Sequence, residues 1–250
     1  MSSEPTPSRR PIAALRVSTV ALIGVVAAVA VPAAAASVVL SGSLDSQQKQ
    51  QDLSQADRVT RVVIVDQDSS VRITGNAALF GVTGHATVNW HAFGSSATNA
   101  KVVQQYADGV LTLTKDCART DCHADIDIQV PPTVSVLVTT SNAGVSVSNV
   151  SGGVELHDEN ASITAKQLGA GDAWMETSNA PISATFAGGP KNIFAHTSNA
   201  PISITTDGRT TYYDKLQTSN ADTHPDNSNQ DRRSDNEIDA QTSNAPITVK

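Results

Sequence analysis

From Val59 onward, apolar and polar positions alternate at period two in short runs. Val59-Arg61-Val63-Val65, Val71-Ile73, Thr87-Asn89, Val102-Gln104, Val110-Thr112-Thr114 and Ile126-Ile128-Val130 each follow this pattern. Turn residues separate them at Asp66-Gln67-Asp68, Thr74-Gly75-Asn76, Gly94-Ser95-Ser96 and Asp108-Gly109. Alternation over a few residues, bounded by Gly, Asn, Asp and Ser, is the pattern of half-buried strands. Residues 59–132 therefore read as a set of short opening strands, and Pro131-Pro132 closes the set.

Past Pro132 the alternation becomes a repeat. Thr-Ser-Asn-Ala recurs at Thr140–Ala143, Thr177–Ala180, Thr197–Ala200, Thr218–Ala221 and Thr242–Ala245, with a degenerate copy at Asp158-Glu159-Asn160-Ala161. Its asparagines, Asn142, Asn160, Asn179, Asn199, Asn220 and Asn244, are separated by 18, 19, 20, 21 and 24 residues. Six and four positions before each Asn stand Val136/Val138, Val154/Leu156, Ala173/Met175, Ile193/Ala195, Asp214/Leu216 and Ile238/Ala240. Three and five positions after it stand Val145/Val147, Ile163/Ala165, Ile182/Ala184, Ile202/Ile204, Thr223/Pro225 and Ile247/Val249. Residues two apart on a strand share a face. Each repeat thus predicts two short strands around a Thr-Ser-Asn-Ala corner, with small or branched residues inward.

The predicted fold is all-β: a parallel β-solenoid, or β-helix-like stack, of about 20-residue repeats over residues 133–250. Equivalent strands would lie about 4.8 Å apart. The six asparagines would form a structural ladder along the corner, each amide donating to one neighbour and accepting from another. One repeat departs from the rule. After Asn220 the inward pair becomes Thr223/Pro225, and a polar run follows to Glu237. Residues 222–236 are expected to loop out as a disordered excursion, with pairing resuming at Ile238. The last strand, Ile247–Lys250, then reads as an exposed edge open to self-association.

The N-terminus carries Arg9, Arg10 and Arg16 and then an uncharged stretch, Val17–Leu40. This segment is long enough to span a bilayer as one hydrophobic helix, and the arginines place residues 1–16 in the cytoplasm. The alternative is a signal peptide cleaved near Ala36, after Ala34-Ala35-Ala36. Either reading exports residues 41–250, as a single-pass cell-membrane protein or a secreted one. Residues 41–58, with five Gln, read as a polar linker. Cys117 and Cys122 flank a turn-like segment, and in an oxidising compartment a disulfide is the default. A metal site with His123 is the alternative, but the second ligand pair that zinc requires is missing.

Composition narrows the partners. A net charge of −7 and the absence of basic runs exclude nucleic acid. Aromatics make up only 4% of the chain, as suits thin stacked sheets. Val62–Val65, Val110-Leu111-Thr112-Leu113, Ile128-Gln129-Val130-Pro131 and the Asn-Ala-Pro-Ile corners at Asn179, Asn199 and Asn244 resemble a bacterial family labelled "putative adhesin". The resemblance spans residues 59–250 and implies a solenoid-like surface protein behind one membrane anchor. Ala-Pro stands where that family commonly has Gly-Asp.

Candidate chemistry is sparse. Asp158, Glu159, Asp172, Glu176, Asp207, Arg209 and Asp214 fall at scattered offsets from the repeat asparagines, which fits solvated turns better than a catalytic stripe. His85, His91, His123, His157, His196 and His224 form no ligand motif, although His157 and His196 share a repeat position two rungs apart. Asp226–Glu237 has the length of a calcium loop but Asp231 where that loop needs Gly. Trp90 with His91 and Phe93, Trp174, and Tyr212-Tyr213 are possible sugar-stacking platforms, though edge or core packing also accounts for them. No catalytic, cofactor or metal site is expected, and no cofactor. The sequence reads as a non-enzymatic, membrane-tethered extracytoplasmic module for surface adhesion or interaction with an envelope polymer or protein. A polysaccharide lyase or hydrolase on a β-helix scaffold is the alternative.

Overall fold

The computed structural model describes residues 45–92, 100–117, 121–225 and 228–250. The tail (1–16) and the hydrophobic segment (17–40) lie outside the described residues, as do Phe93 and Asp226-Asn227 of the excursion. Among the described residues every regular element is a strand. In chain order these are β1 (Asp45–Gln55), β2 (Arg61–Val65), β3 (Ser69–Gly75), β4 (Val82–Ala92), β5 (Lys101–Ala107), β6 (Val110–Asp116) and β7 (Cys122–Val130). The repeat region adds β8 (Ser135–Thr139), β9 (Val145–Ser148), β10 (Val154–His157), β11 (Ile163–Leu168), β12 (Ala173–Glu176) and β13 (Ile182–Phe186). It ends with β14 (Asn192–His196), β15 (Ile202–Thr205), β16 (Tyr213–Gln217), β17 (Thr223–His224), β18 (Glu237–Gln241) and β19 (Ile247–Val249).

The strands form two mostly parallel sheets. One has ten strands in the order β1-β4-β7-β3-β9-β11-β13-β15-β19-β17, the other nine in the order β16-β18-β14-β12-β10-β8-β2-β6-β5. Each repeat sends the strand before its corner to the nine-stranded sheet and the strand after it to the ten-stranded one. Like pairs with like in register: Val154 opposite Ala173, Leu156 opposite Met175, Ile163 opposite Ile182, Ile202 opposite Ile247. The inward residues form one apolar cluster of Val, Ile, Leu and Ala, nearly all fully buried. Proline fits this corner because its position uses a carbonyl: Pro181, Pro201 and Pro246 accept from the N–H groups of Ile163, Ile182 and Ile202.

The stack begins earlier than the repeat motif. Val62/Ile64 and Val71/Ile73 bear the same offsets to Asp68 as the inward pairs bear to each asparagine, and β2 and β3 pair with β8 and β9. Asp66-Gln67-Asp68-Ser69 is therefore a corner without the Thr-Ser-Asn-Ala spelling. Beyond it, β6 and β7 form a further rung whose corner is closed by the Cys117–Cys122 disulfide, with S–S 2.02 Å and Cα–Cα 5.6 Å. Buried beside that corner, Lys115 Nζ lies 2.9 Å from Asp66 Oδ1. Antiparallel strands finish this end: β4 on β7, β1 on β4, and β5 on β6. The β5–β6 hairpin turns through Asp108 and Gly109, at φ 50° and 80°, the left-handed pair that a two-residue hairpin turn requires.

Three expectations need correction. Residues 45–55 are not linker: they form β1, with Leu53 buried and the Gln51 amide bonded to the Val102 backbone on β5. The C-terminal strand is not an edge, because β19 lies between β15 and β17. The rung β18–β19 enters the interior of the stack, and the rung β16–β17, earlier in sequence, becomes the end. The inward positions explain the exchange. Ile238, Ala240, Ile247 and Val249 complete an apolar rung and are buried, whereas Asp214, Thr223 and Pro225 cannot. The imperfect rung is least costly where one side meets solvent. Within 222–236 the described residues are held: Thr223 and His224 pair with Ile247 and Thr248, Tyr212 bridges Gln230, and the Asp231 N–H donates to the Tyr212 carbonyl. Pairing resumes at Glu237, one residue before Ile238.

Candidate functional site

Two side-chain rows, one buried and one exposed, run along the corner and explain why the motif recurs. In the first, Thr140, Thr177, Thr197 and Thr242 are buried, and each hydroxyl donates to carbonyls of the adjacent rung, as Thr197 does to Ser178 and Ala180. In the second, the asparagines donate in one direction throughout. Asn160 Nδ2 bonds Asn142 Oδ1, Asn179 bonds Asn160, Asn199 bonds Asn179, Asn244 bonds Asn199 and Asn220 bonds Asn244, all at 2.7–2.9 Å. Asn142 in turn donates to Asp68 Oδ1 at 2.8 Å, so a carboxylate receives the end of the ladder. Along the stack Asn244 precedes Asn220, the reverse of their order in sequence.

Asp158 takes the threonine position in the degenerate copy. It is buried, and its Oδ1 accepts from the Asn160 and Ala161 N–H groups while Oδ2 has no hydrogen-bond partner. Desolvation pushes its carboxyl above the ordinary carboxylate value, against those two backbone bonds.

The outer face of the nine-stranded sheet carries a different pattern. Strand register places Glu155, Trp174, Phe194, Asp239 and Lys215 in one outward row, and His157, Glu176, His196, Gln241 and Gln217 in the next. Trp174 and Phe194 stack at 3.7 Å between ring centroids and 18° between planes, and the His196 ring follows 3.6 Å from Phe194. Trp174 is 43% exposed. Each imidazole is flanked by carboxylates: His157 lies 3.2 Å from Glu155 and 3.4 Å from Glu176, and His196 lies 3.3 Å from Asp239. At the end of the row Lys215 pairs with Glu237 at 2.7 Å, which raises the lysine pKa, and lies over the Tyr213 ring.

Where this face bends into the corner, an open groove of about 1070 Å³ runs across four rungs to the end of the stack. Its lining is almost wholly polar: the exposed serines Ser178, Ser198 and Ser243 with Glu176, His196 and Gln241, continuing to Gln217 and Asp222. No Lys or Arg lines it.

The structure separates the sequence candidates. Glu176 belongs to the outer face, but Asp172 is engaged with the Asn192 backbone and amide, and Glu159 is a corner residue whose carbonyl receives Ser178 and Asn179. Asp207 caps its own turn; burial alone would raise its pKa, but the Thr210 and Arg209 N–H groups and the Thr210 hydroxyl hold it below the ordinary value. These groups do not converge, and Asp214 sits at an inward position of the end rung. Of the aromatic candidates, Trp90 and Tyr212 are buried, the latter with its phenol pushed up to about 12 by desolvation, while Trp174 faces solvent. Cys117 and Cys122 are bonded to each other, and Asp231 accepts from the Arg233 N–H within a local turn. Among the described residues no group of three or more His, Cys, Asp or Glu is arranged to hold a metal ion. Sequence reasoning passed over Glu155, Phe194 and Asp239, whose signal was the shared offset of five positions before each asparagine.

Comparison with protein-family models finds no match, and comparison with curated proteins finds none. Among solved structures, the chain is similar to a "putative cell adhesion protein" from Clostridium sporogenes, at 8% identity and TM-score 0.41, over 82% of this chain and 99% of that one. It is also similar to a "putative adhesin" from Parabacteroides merdae, at 13% identity and TM-score 0.25, over 81% and 95% of the two chains. A "putative lipid binding protein" from Parabacteroides distasonis matches at 11% identity and TM-score 0.29, over 81% and 96%. Those names describe the neighbours; at such scores they assign nothing to this chain.

Proposed function

We propose that this chain is a non-enzymatic, membrane-tethered extracytoplasmic β-solenoid acting as an adhesion or envelope-interaction module, with the outer face of the nine-stranded sheet as its contact surface. The observation that carries the reading is the solvent-facing stack of Trp174 and Phe194 on strands held rigidly by neighbours on both sides. A rigid parallel sheet presents fixed side chains without an ordering penalty at binding, which suits a contact surface. Hydrolysis of a glycosidic bond needs two facing carboxyl groups, one kept protonated near neutral pH. On this face Glu155, Glu176 and Asp239 are each engaged by an imidazole, and the carboxyl pushed upward, Asp158, is buried at the corner. The apolar segment 17–40 behind arginines supports the tether, and the disulfide suits an oxidising compartment.

Protease applied to intact or wall-stripped cells expressing the full chain tests the placement. Digestion of residues 45–250 from outside is expected, and protection until the membrane is permeabilised would overturn it. Incubating the purified chain with wall polysaccharides tests the other half: no new reducing or unsaturated ends are expected, and their release would make the protein an enzyme.

A further inference from the structure

The contact surface proposed above leaves its ligand unnamed, and the groove beside it narrows the choice. Resting on that reading, we infer that the corner groove, with the adjoining Trp174, binds an uncharged, extended pyranose chain lying along the stack.

At about 1070 Å³ the groove is open and polar, shaped for an extended chain and not for an enclosed small molecule. Its donors and acceptors repeat with the rungs, about 4.8 Å apart, so four rungs offer a line about 14 Å long. Hydroxyls from Ser178, Ser198 and Ser243 form one side of that line, while a carboxylate, an imidazole and an amide (Glu176, His196, Gln241) form the other. A polyhydroxylated chain matches such a surface because every sugar can both donate and accept. The ring row of Trp174, Phe194 and His196 adjoins the groove; its rings stack on one another, so the row offers a passing chain ring edges and the exposed part of Trp174 as its apolar contact.

Other polymers fit less well. A uronate, teichoic or nucleic-acid chain would meet Glu176 and Asp222 without any lining Lys or Arg to neutralise it. Peptide recognition relies on apolar anchor pockets or on an exposed strand edge. This groove offers only Leu216 and Ala221 as apolar lining, and of its strands β12, β14 and β18 are paired on both sides, which leaves an open edge only at the end rung β16–β17.

The test uses the full-length chain in a polyoxyethylene detergent, so that no detergent sugar competes. Titration calorimetry with cellohexaose, chitohexaose and oligogalacturonate is expected to show binding to a neutral hexasaccharide and none to the uronate. The two neutral probes distinguish plain hexose from N-acetylhexosamine as the source. Trp174→Ala is expected to weaken binding about tenfold, the scale of one aromatic contact. Ser198→Lys with Ser243→Lys, at exposed corner positions, fills the groove and is expected to abolish neutral binding while leaving the unfolding midpoint in place. No binding of either neutral probe, preferential binding of the uronate, or unchanged affinity in the double lysine variant would each overturn the inference. If cells displaying the protein still adhere to envelope material and both variants adhere equally well, the ligand assignment fails while the adhesion module stands.

Discussion

Asp158 breaks the buried threonine row of the corner. Every neighbouring rung places a threonine hydroxyl there, and a hydroxyl both donates to the adjacent carbonyls and carries no charge. The aspartate accepts two N–H bonds but leaves Oδ2 buried without a partner. Its pKa lies above 3.8 because burial disfavours the charged form. The folded chain therefore holds this proton more tightly than the unfolded chain. The associated stability is fully present below pH 3.8 and is lost as pH rises through the folded value. Asp158→Thr should stabilise the fold at neutral pH by about 1–3 kcal/mol, the scale of an unsatisfied buried polar group. The gain should shrink when urea unfolding is repeated near pH 4, and a gain independent of pH would show that folding does not raise the Asp158 pKa. Much at this scale was legible: the six asparagines and their polar spacing announce a ladder. Asp68 was not, because a carboxylate replaces the amide and the inserted strands β4–β7 push the next corner 74 residues away.

At the scale of elements, the period-two pattern located the strands of the repeats because each buries one face and exposes the other. It failed for β1, whose eleven residues include only one fully buried apolar side chain, Leu53. A strand that closes the end of a stack contributes backbone bonds and little core, so its sequence carries almost no alternation. Its contribution is still testable. Leu53→Glu should destabilise the fold by about 3 kcal/mol or more, since a carboxylate would be buried without a partner. A linker would tolerate the same change. The disulfide corner is smaller in effect: breaking Cys117–Cys122 by double serine replacement should lower stability by about 2 kcal/mol, the loop-closure value for so short a span. Urea midpoints of the two variants against the parent chain measure both. The outer row Glu155–Trp174–Phe194–Asp239 was legible only in part, because sequence alignment ranks positions by sameness and this row differs at every rung.

For the whole molecule, both ends of the stack are built out of sequence order. At one end β2–β3 lies inside β6–β7, and at the other β18–β19 lies inside β16–β17. A stack of this kind depends on nearest-neighbour interfaces, so a rung is as stable as the partners beside it. Among the described residues, rung β16–β17 has only β18–β19 as a strand partner, and its inward positions hold Asp214, Leu216 and Thr223. The last fourteen residues therefore hold two rungs in place. Ile247, fully buried, should not behave as an edge residue: Ile247→Lys is expected to loosen this end and not to change the solution mass of a folded chain. Ending the chain at residue 236 makes the same point more sharply. Hydrogen exchange on the truncated protein should show protection retained from β8 through β13 and lost across 213–224, although every residue of 213–224 is still present. Retained protection there would mean that β16–β17 can dock directly on β14 and β15.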